Sequence, residues 1–553
     1  MSVLGKKWVI KNTSGKNTIK KILENRGLKD FEKDYELHDP FLFADMERAV
    51  ERIDKAISNN ERIIVFGDYD VDGITGTAIL VNILRRLSAN VSYRLPNRME
   101  DGYGFSEKFI PDFVEKGVKL LITVDCGISC ADTIAQAAGE GIETIVTDHH
   151  EIPRSIPKEA VAILHPRDPN SSYPERNLTG AGMAFKLAQA LIEKHFPEKK
   201  DEYIMSVIDL AALGTVADIG PLKGENRTIV KKGIQVLCNT KWVGLKKIMQ
   251  LADVKEDSNI DASTIGYRIA PRINAAGRIG DPYLALSLLL AQNFDKKVNM
   301  WGNKLEELNS KRKEMMTSSF IEAESGFDTA SPPFIFIAHN PDWHVGILGL
   351  VAGRLVETYA RPAIIMQDFG DTLVASARSP EYFNIVEAIT VFGKYLTSFG
   401  GHSQAAGFNM KKENLEAFKK EMADYAEEKL KGMDLRPTLK IDCALDPQEA
   451  SFEFISEMEK LKPYGVENPK PTFLLKGIEP HFVDLVGREQ NHLKFSVEFN
   501  KKNIGVIAFH MGKFADALRT HKKIDIVCHL ERHSWNSREN LQFQALDFRE
   551  SRQ

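Results

Sequence analysis

The chain has 553 residues, which at roughly 150 per domain means three or four domains and excludes a single small module. A hydrophobic fraction of 43% beside 27% charged residues is ordinary globular composition, wrong for a disordered or fibrous chain. The formal net charge of -4 excludes a global basic field, so a polyanionic partner has to bind through local patches.

Residues 1–55 form an N-terminal segment ahead of the first clear pattern. Residues 62–66, 91–95, 120–124 and 144–147 are short, mostly apolar runs, and helix-length stretches such as 75–87 and 131–138 separate them. Buried strands alternating with helices predict a parallel α/β sheet, within a domain over 56–235. The pattern then turns helical, giving a connector over 236–328 that ends in the Lys/Glu-laced residues 303–313, read as a solvated connecting helix. Ser331-Pro332-Pro333 punctuates the chain, and the apolar residues 334–337 open a second α/β unit over 329–434. After Arg436-Pro437, period-two runs such as 493–499 and 541–545 predict a small antiparallel β domain over 435–553, either a barrel of the oligonucleotide-binding (OB) type or a sandwich.

Five cysteines (Cys126, Cys130, Cys238, Cys443 and Cys528) include no Cys-x-x-Cys pair, which points to a reducing, cytoplasmic home. Cys126 and Cys130 read as packing residues in a strand-to-helix turn. With neither an apolar signal core nor about 18 consecutive apolar residues, no secretion or membrane partner is expected. The histidines of the last domain, His481, His492, His510, His521, His529 and His533, lack metal spacing and read as surface or packing residues.

The chemistry concentrates at strand ends. Gly67-Asp68-Tyr69-Asp70-Val71-Asp72-Gly73 follows the first strand and precedes a helix. It is no calcium loop: counting from Asp68, position twelve is Ile79, where a bidentate Glu is required. Thr123-Val124-Asp125-Cys126-Gly127 and Thr147-Asp148-His149-His150 close two further strands. In an open parallel sheet ligands sit beyond the carboxyl ends, so these termini converge on one crevice. A lone Asp after a strand is usually a helix cap, but three such ends with adjacent histidines predict a metal site. Oxygen donors with one or two imidazoles and no thiolate suit Mn2+ or Mg2+, and so many carboxylates call for two cations. Such a pair serves phosphate-ester hydrolysis. A further acid comes from residues 208–222: on one helix Asp209 and Asp218 would point to opposite faces, and Asp218, next to Gly220-Pro221 at the helix end, is the better candidate.

In this order, with Val216-Ala217-Asp218-Ile219-Gly220-Pro221-Leu222, these motifs resemble the DHH phosphoesterase superfamily, and within it the bacterial exonucleases specific for single strands. Arg272-Ile273-Asn274-Ala275-Ala276-Gly277-Arg278, Ser376-Ala377-Arg378-Ser379 and the segment 400–408 extend the likeness over roughly residues 60 to 410. The resemblance implies a two-lobed α/β fold: a DHH parallel sheet, a DHHA1 lobe and a C-terminal OB-type barrel. It implies Asp68, Asp70, Asp72, Asp125, His149 and Asp218 as metal ligands, His150 at the scissile phosphate and Asp148 supporting the histidines. Many superfamily members have a histidine four residues before the aspartate matching Asp70; here that residue is Phe66, which makes the part of Asp68 the least defined. Arg98, Arg272, Arg278, Ser376, Arg378 and His344 would bind nucleic-acid phosphate or substrate, with Gly401 and His402 on a glycine turn before a helix start. The implied activity is 5′ to 3′ exonucleolytic hydrolysis of single-stranded DNA to mononucleotides in repair and recombination. The partners are single-stranded DNA, a single-strand-binding protein and a helicase. A phosphodiesterase of short oligonucleotides or cyclic dinucleotides, and a non-catalytic replication scaffold, are the alternatives.

Overall fold

The computed structural model describes residues 2–11, 17–28, 36–255, 260–499, 501–520, 522–535 and 538–551. The chain divides into two compact units: Asp34–Glu314 with Pro463–Pro469, and Met1–Lys33 with Met315–Lys462 and Lys470–Gln553. Strand β1 (Lys7–Ile10) belongs to the latter. Among the described residues no helix is long and apolar enough to cross a membrane.

The unit Asp34–Glu314 is built on five parallel strands, β2 (Arg62–Gly67), β3 (Val91–Arg94), β4 (Val118–Val124), β5 (Glu143–Thr147) and β6 (Ala162–Leu164), in the order β3-β2-β4-β5-β6. Alternate residues of β2 enter different cores: Ile63 and Val65 join the large helical core, while Ile64 and Phe66 pack with Phe105, Phe109 and Phe113. Burial on both faces is why the strand reads as an unbroken apolar run. Chain direction across the sheet reverses between β2 and β4, so their carboxyl ends open a crevice at the switch point.

The helix Val71–Arg86 leaves that crevice and is buried nearly all round against the helices Gly180–His195 and Ile208–Ala217. Its first turn starts four residues before the expected 75, because the Asp70 carboxylate caps it by accepting from the Asp72 and Gly73 N–H groups. A Cβ on Gly73 would stand 2.5 Å from the Asp68 nitrogen, so only glycine lets the helix start this close to the strand end.

In the second unit, β7 (Phe336–Asn340), β8 (Ala363–Asp368), β9 (Thr372–Arg378), β10 (Leu396–His402) and β11 (Ala405–Lys411) form a sheet in the order β10-β11-β9-β8-β7, parallel only between β7 and β8. The expected helix start after Gly400-Gly401-His402 is not there; β10 turns directly into β11. Gly401, at φ 144°, faces the Ala405 and Ala406 backbone at a distance that leaves no room for a side chain. The adjacent glycines serve a tight hairpin, and the run after them alternates as a strand.

The same unit carries β12 (Thr438–Ile441), β13 (Cys443–Ala444), β14 (Phe473–Ile478), β15 (Pro480–Val486), β16 (His492–Phe499), β17 (Lys502–Ala508), β18 (Ile524–Trp535) and β19 (Arg538–Glu550). All but β12 form one sheet in the order β13-β14-β18-β19-β17-β16-β15, antiparallel except for the pairs β13/β14 and β17/β19. Leu493, Phe495, Val497 and Phe499 of β16 point into its core. Strand β1 pairs in parallel with β12, so Lys7–Ile10 is built into this unit. Of the histidines noted above, His521 lies outside the described residues.

Candidate active site

Each strand end of the crevice extends its ladder by one residue, and that residue is an aspartate. Asp68 N–H donates to the Val124 carbonyl (3.3 Å), Asp125 N–H to Thr147 (3.0 Å) and Asp148 N–H to Leu164 (3.2 Å). Three carboxylates are thereby aimed out of the sheet at fixed heights. Asp125 has the left-handed φ of 61°, a conformation costly for a residue with a Cβ, and the Tyr103 hydroxyl holds it by donating to its carbonyl (2.9 Å).

His149 is the centre of the cluster. Its Nε2 lies 3.1 Å from Asp125 Oδ1, 3.6 Å from Asp218 Oδ2 and 3.8 Å from Asp72 Oδ2. Three donor sets have ligand atoms within 4.8 Å of one another: Asp125 with His149 and His150, Asp72 with His149 and Asp218, and Asp68 with Asp70 and Asp125. Asp72 also accepts from the Gly180 (2.6 Å) and Ala181 (2.9 Å) N–H groups, tying the cluster to the start of the helix Gly180–His195. Asp218 follows the helix Ile208–Ala217 as its C-cap. Asp209 is sealed in the core, bonded to the Thr240 hydroxyl (2.5 Å).

Burial first, and mutual repulsion second, push the carboxyls up: Asp68 and Asp125 well above the carboxylate range, Asp72 to about 7 and Asp218 to about 9. Burial, reinforced by the neighbouring His150, pushes the His149 imidazole down to about 3, so it is neutral, as a metal ligand must be. Asp68 Oδ1, Asp125 Oδ1 and His149 Nε2 are buried without a hydrogen-bond partner. Electron-pair donors that face one another unbonded, hard oxygens with one imidazole, fit Mn2+ or Mg2+ in both number and kind.

Asp148 lies outside all three donor sets. Its Oδ1 accepts from the His149 N–H (2.7 Å), the His150 N–H (3.1 Å) and His150 Nδ1 (2.8 Å), while Oδ2 takes the Ile128 N–H (2.9 Å). Burial raises the Asp148 carboxyl, but these bonds outweigh it and hold it below its ordinary range; the same contact outweighs burial at His150 and raises the imidazole.

A cavity of about 210 Å³ opens over the cluster, lined by Asp68, Asp70, Asp125, His150 and Asp218 together with Tyr69, Arg98, Tyr103, Asn274, Gly277 and Arg278. Arg98 lies over the Tyr69 ring. Arg272, expected beside them, is elsewhere: its guanidinium is bonded to Glu306 (2.5 and 3.2 Å) and to the Leu251 carbonyl (3.0 Å). It turns back toward the helix Lys296–Ser325 because it sits one helical turn and more from Arg278, on another face. Phe66 faces the aromatic cluster and is no part of the site.

In the second unit, Ser376 and Arg378 share β9, and Arg378 Nη1 donates to Ser376 Oγ (3.2 Å) and to the Ala377 carbonyl (2.8 Å). Gly401 and His402 lie two strands away, on β10. His344 caps the helix Val345–Tyr359 by accepting from the Gly346 N–H at Nδ1 (3.0 Å). Tyr103 and Asn274, which line the cavity, carry no motif of their own as metal or phosphate ligands. Tyr103 had one signal, its position between Gly102 and Gly104.

Three family models match the chain: the N-terminal domain of the DHH family over residues 62–215, the DHHA1 domain over 332–428 and the RecJ OB domain over 441–547. The single-stranded-DNA-specific exonuclease RecJ of Escherichia coli (strain K12) is 34% identical over 476 residues, covering 82% of this chain and 81% of that one. The chain belongs to the RecJ family. RecJ of Bacillus subtilis (strain 168) is 34% identical over 524 residues, 93% of this chain, and the chain spans 64% of that relative's length. The crystal structure of RecJ from Thermus thermophilus in complex with Mn2+ matches with a TM-score of 0.84 and 29% identity, covering 99% of this chain and 80% of that one. The Mg2+ complex of the same RecJ matches with a TM-score of 0.79 and 28% identity, covering 99% and 79%.

Proposed function

We propose that this chain is a divalent-metal-dependent exonuclease that releases mononucleotides from the 5′ end of single-stranded DNA in repair and recombination. The observation that carries the reading is the convergence of Asp68, Asp70, Asp72, Asp125, Asp218 and His149 in one donor cluster, of which Asp68, Asp70, Asp125 and Asp218 line the cavity, with buried donor atoms left unpaired. Two Mn2+ or Mg2+ ions held by these six side chains would neutralise charge on the phosphoryl group and acidify the attacking water.

The remaining roles fall to the chain itself. Asp148 fixes the His150 ring through Nδ1 and favours its protonated form, so that His150 donates to an oxygen of the scissile phosphate. Tyr103, with its hydroxyl 3.1 Å from His150 Nδ1, closes that side of the cavity. Arg98 and Arg278 bind phosphate oxygens along its rim. Ser376 and Arg378 bind a terminal 5′ phosphate, which sets the direction of digestion. Arg378→Ala is therefore expected to weaken a 5′-phosphorylated strand about tenfold more than a 5′-hydroxyl strand, measured as the ratio of kcat/KM values; an equal effect on both ends the assignment.

The OB domain grips the strand, a task that a phosphodiesterase of dinucleotides would not need. A single-strand-binding protein and a helicase are the partners this substrate calls for, since a duplex must be opened and kept open. Five free cysteines agree with a cytoplasmic setting. The deciding experiment digests strands labelled at either end with and without Mn2+. Labelled mononucleotide should come first from the 5′ label and only with metal; release from the 3′ label first, or no digestion of any single strand, overturns the reading.

A further inference from the structure

We propose that the turn His165-Pro166-Arg167 is a positioning element for the reaction, acting through the main-chain carbonyls of His149 and His150. The inference rests on the reading above, in which those histidines serve metal and phosphate. The pair stands beyond the end of β5, where no strand neighbour is left to orient its peptides. All four of its main-chain polar groups are nevertheless taken. Both N–H groups donate to Asp148 Oδ1, as described above. The His149 carbonyl accepts from Arg167 Nη2 (3.1 Å), and the His150 carbonyl accepts from His165 Nε2 (2.8 Å).

His165 is 1% exposed, and its tautomer follows from its partners. The Arg167 N–H donates to His165 Nδ1 (3.1 Å), which leaves the ring proton on Nε2, aimed at His150. The intervening proline biases His165 toward extended backbone, so the two donors leave one short turn in fixed directions. The turn itself is anchored because β6, which it follows, pairs with β5 through Thr147 and Leu164. Peptide planes held from both sides leave the two imidazoles one direction in which to project. Releasing a carbonyl lets its plane rotate, which swings His149 Nε2 out of the 3.1 Å relation with Asp125. Such outer partners of metal-binding groups are typically worth about 10–100-fold in metal affinity or turnover.

Two substitutions in the 553-residue chain separate this role from packing. His165→Gln keeps an N–H donor near the Nε2 position; His165→Asn keeps polar atoms only near Nδ1. Mn2+ binding is read by calorimetry on the protein without DNA, kcat and KM on a single-stranded oligonucleotide, and melting without metal. For His165→Asn, Mn2+ affinity and kcat should fall about 10–100-fold with KM unchanged, while His165→Gln stays near wild type. If both variants fold and either bind Mn2+ as wild type or lose it equally, the proposal fails. Should neither fold, Arg167→Ala at the exposed end of the turn decides: weakened Mn2+ binding upholds the proposal and unaltered binding overturns it. Wild-type digestion in the same series tests the exonuclease reading separately.

Discussion

Asp125 combines a left-handed backbone, a carbonyl tethered to Tyr103 and a carboxylate oxygen that faces His149 without a bond. Asn tolerates that backbone, so Asp125→Asn tests the charge alone. Cleavage should be lost and Mn2+ affinity should fall, while binding of single-stranded DNA in a mobility shift persists. Without metal the variant should be more stable than wild type in chemical denaturation, since burial and the neighbouring carboxylates disfavour a charge that the amide does not carry. Parallel loss of binding and cleavage would instead make Asp125 a residue of the fold. Asp209 shows what a carboxylate outside the cluster does. It is 1% exposed, and burial, opposed by the Thr240 and Leu210 bonds, raises its carboxyl from 3.8 to about 6. The native state therefore holds this proton after the unfolded chain has lost it, and the stabilisation so gained disappears as pH rises through about 6. Between pH 5 and pH 8 the stability of Asp209→Asn should gain on wild type by on the order of 1 kcal/mol, followed by chemical denaturation; a difference independent of pH refutes the raised carboxyl.

At the level of elements, the strand ends were legible because burial on both faces writes β2, β4 and β5 as apolar runs, and each run stops at an aspartate. What escaped depended on partners distant in sequence. Strand β6 has three residues and exists by pairing with β5, so the turn after it, with His165 and Arg167, carried no signal. The glycines of β10 read as a phosphate loop because composition does not distinguish a hairpin from an anion site. Arg272 read as a phosphate ligand because it shares a glycine-containing motif with Arg278 near the metal motifs, yet only Arg278 lines the cavity, and the two project from different faces of the helix Ala270–Ile279. Arg272 instead ties that helix to Lys296–Ser325 through Glu306, with side chains 11% and 31% exposed. Arg272→Ala should lower stability by about 1–3 kcal/mol and leave KM for single-stranded DNA unchanged. A raised KM at wild-type stability would return Arg272 to the substrate.

On the scale of the whole molecule, the sequence does not tell where residues 2–11 and 17–28 belong, since a four-residue strand has no meaning until its partner is known. Here β1 pairs with β12, more than 400 residues on, and side chains secure the join. Trp8 Nε1 donates to Asp547 (2.9 Å), Thr18 Oγ1 bonds Glu449, and Arg26 meets Asp442 through two bonds of 3.0 and 2.8 Å. The last pair is the critical one, because its side chains are only 5% and 11% exposed and Asp442 also accepts from the Thr472 N–H (3.0 Å). Arg26→Ala strands a carboxylate in the seam between β12 and β14, at a cost of about 3–5 kcal/mol. The loss should be local. In limited proteolysis, cleavage should appear first within residues 438–551, while residues 36–255 stay protected and Mn2+ still binds with wild-type affinity in calorimetry. Cleavage spread evenly over both units, or Mn2+ binding lost with the first cut, would mean that the N-terminal segment stabilises the metal cluster as well.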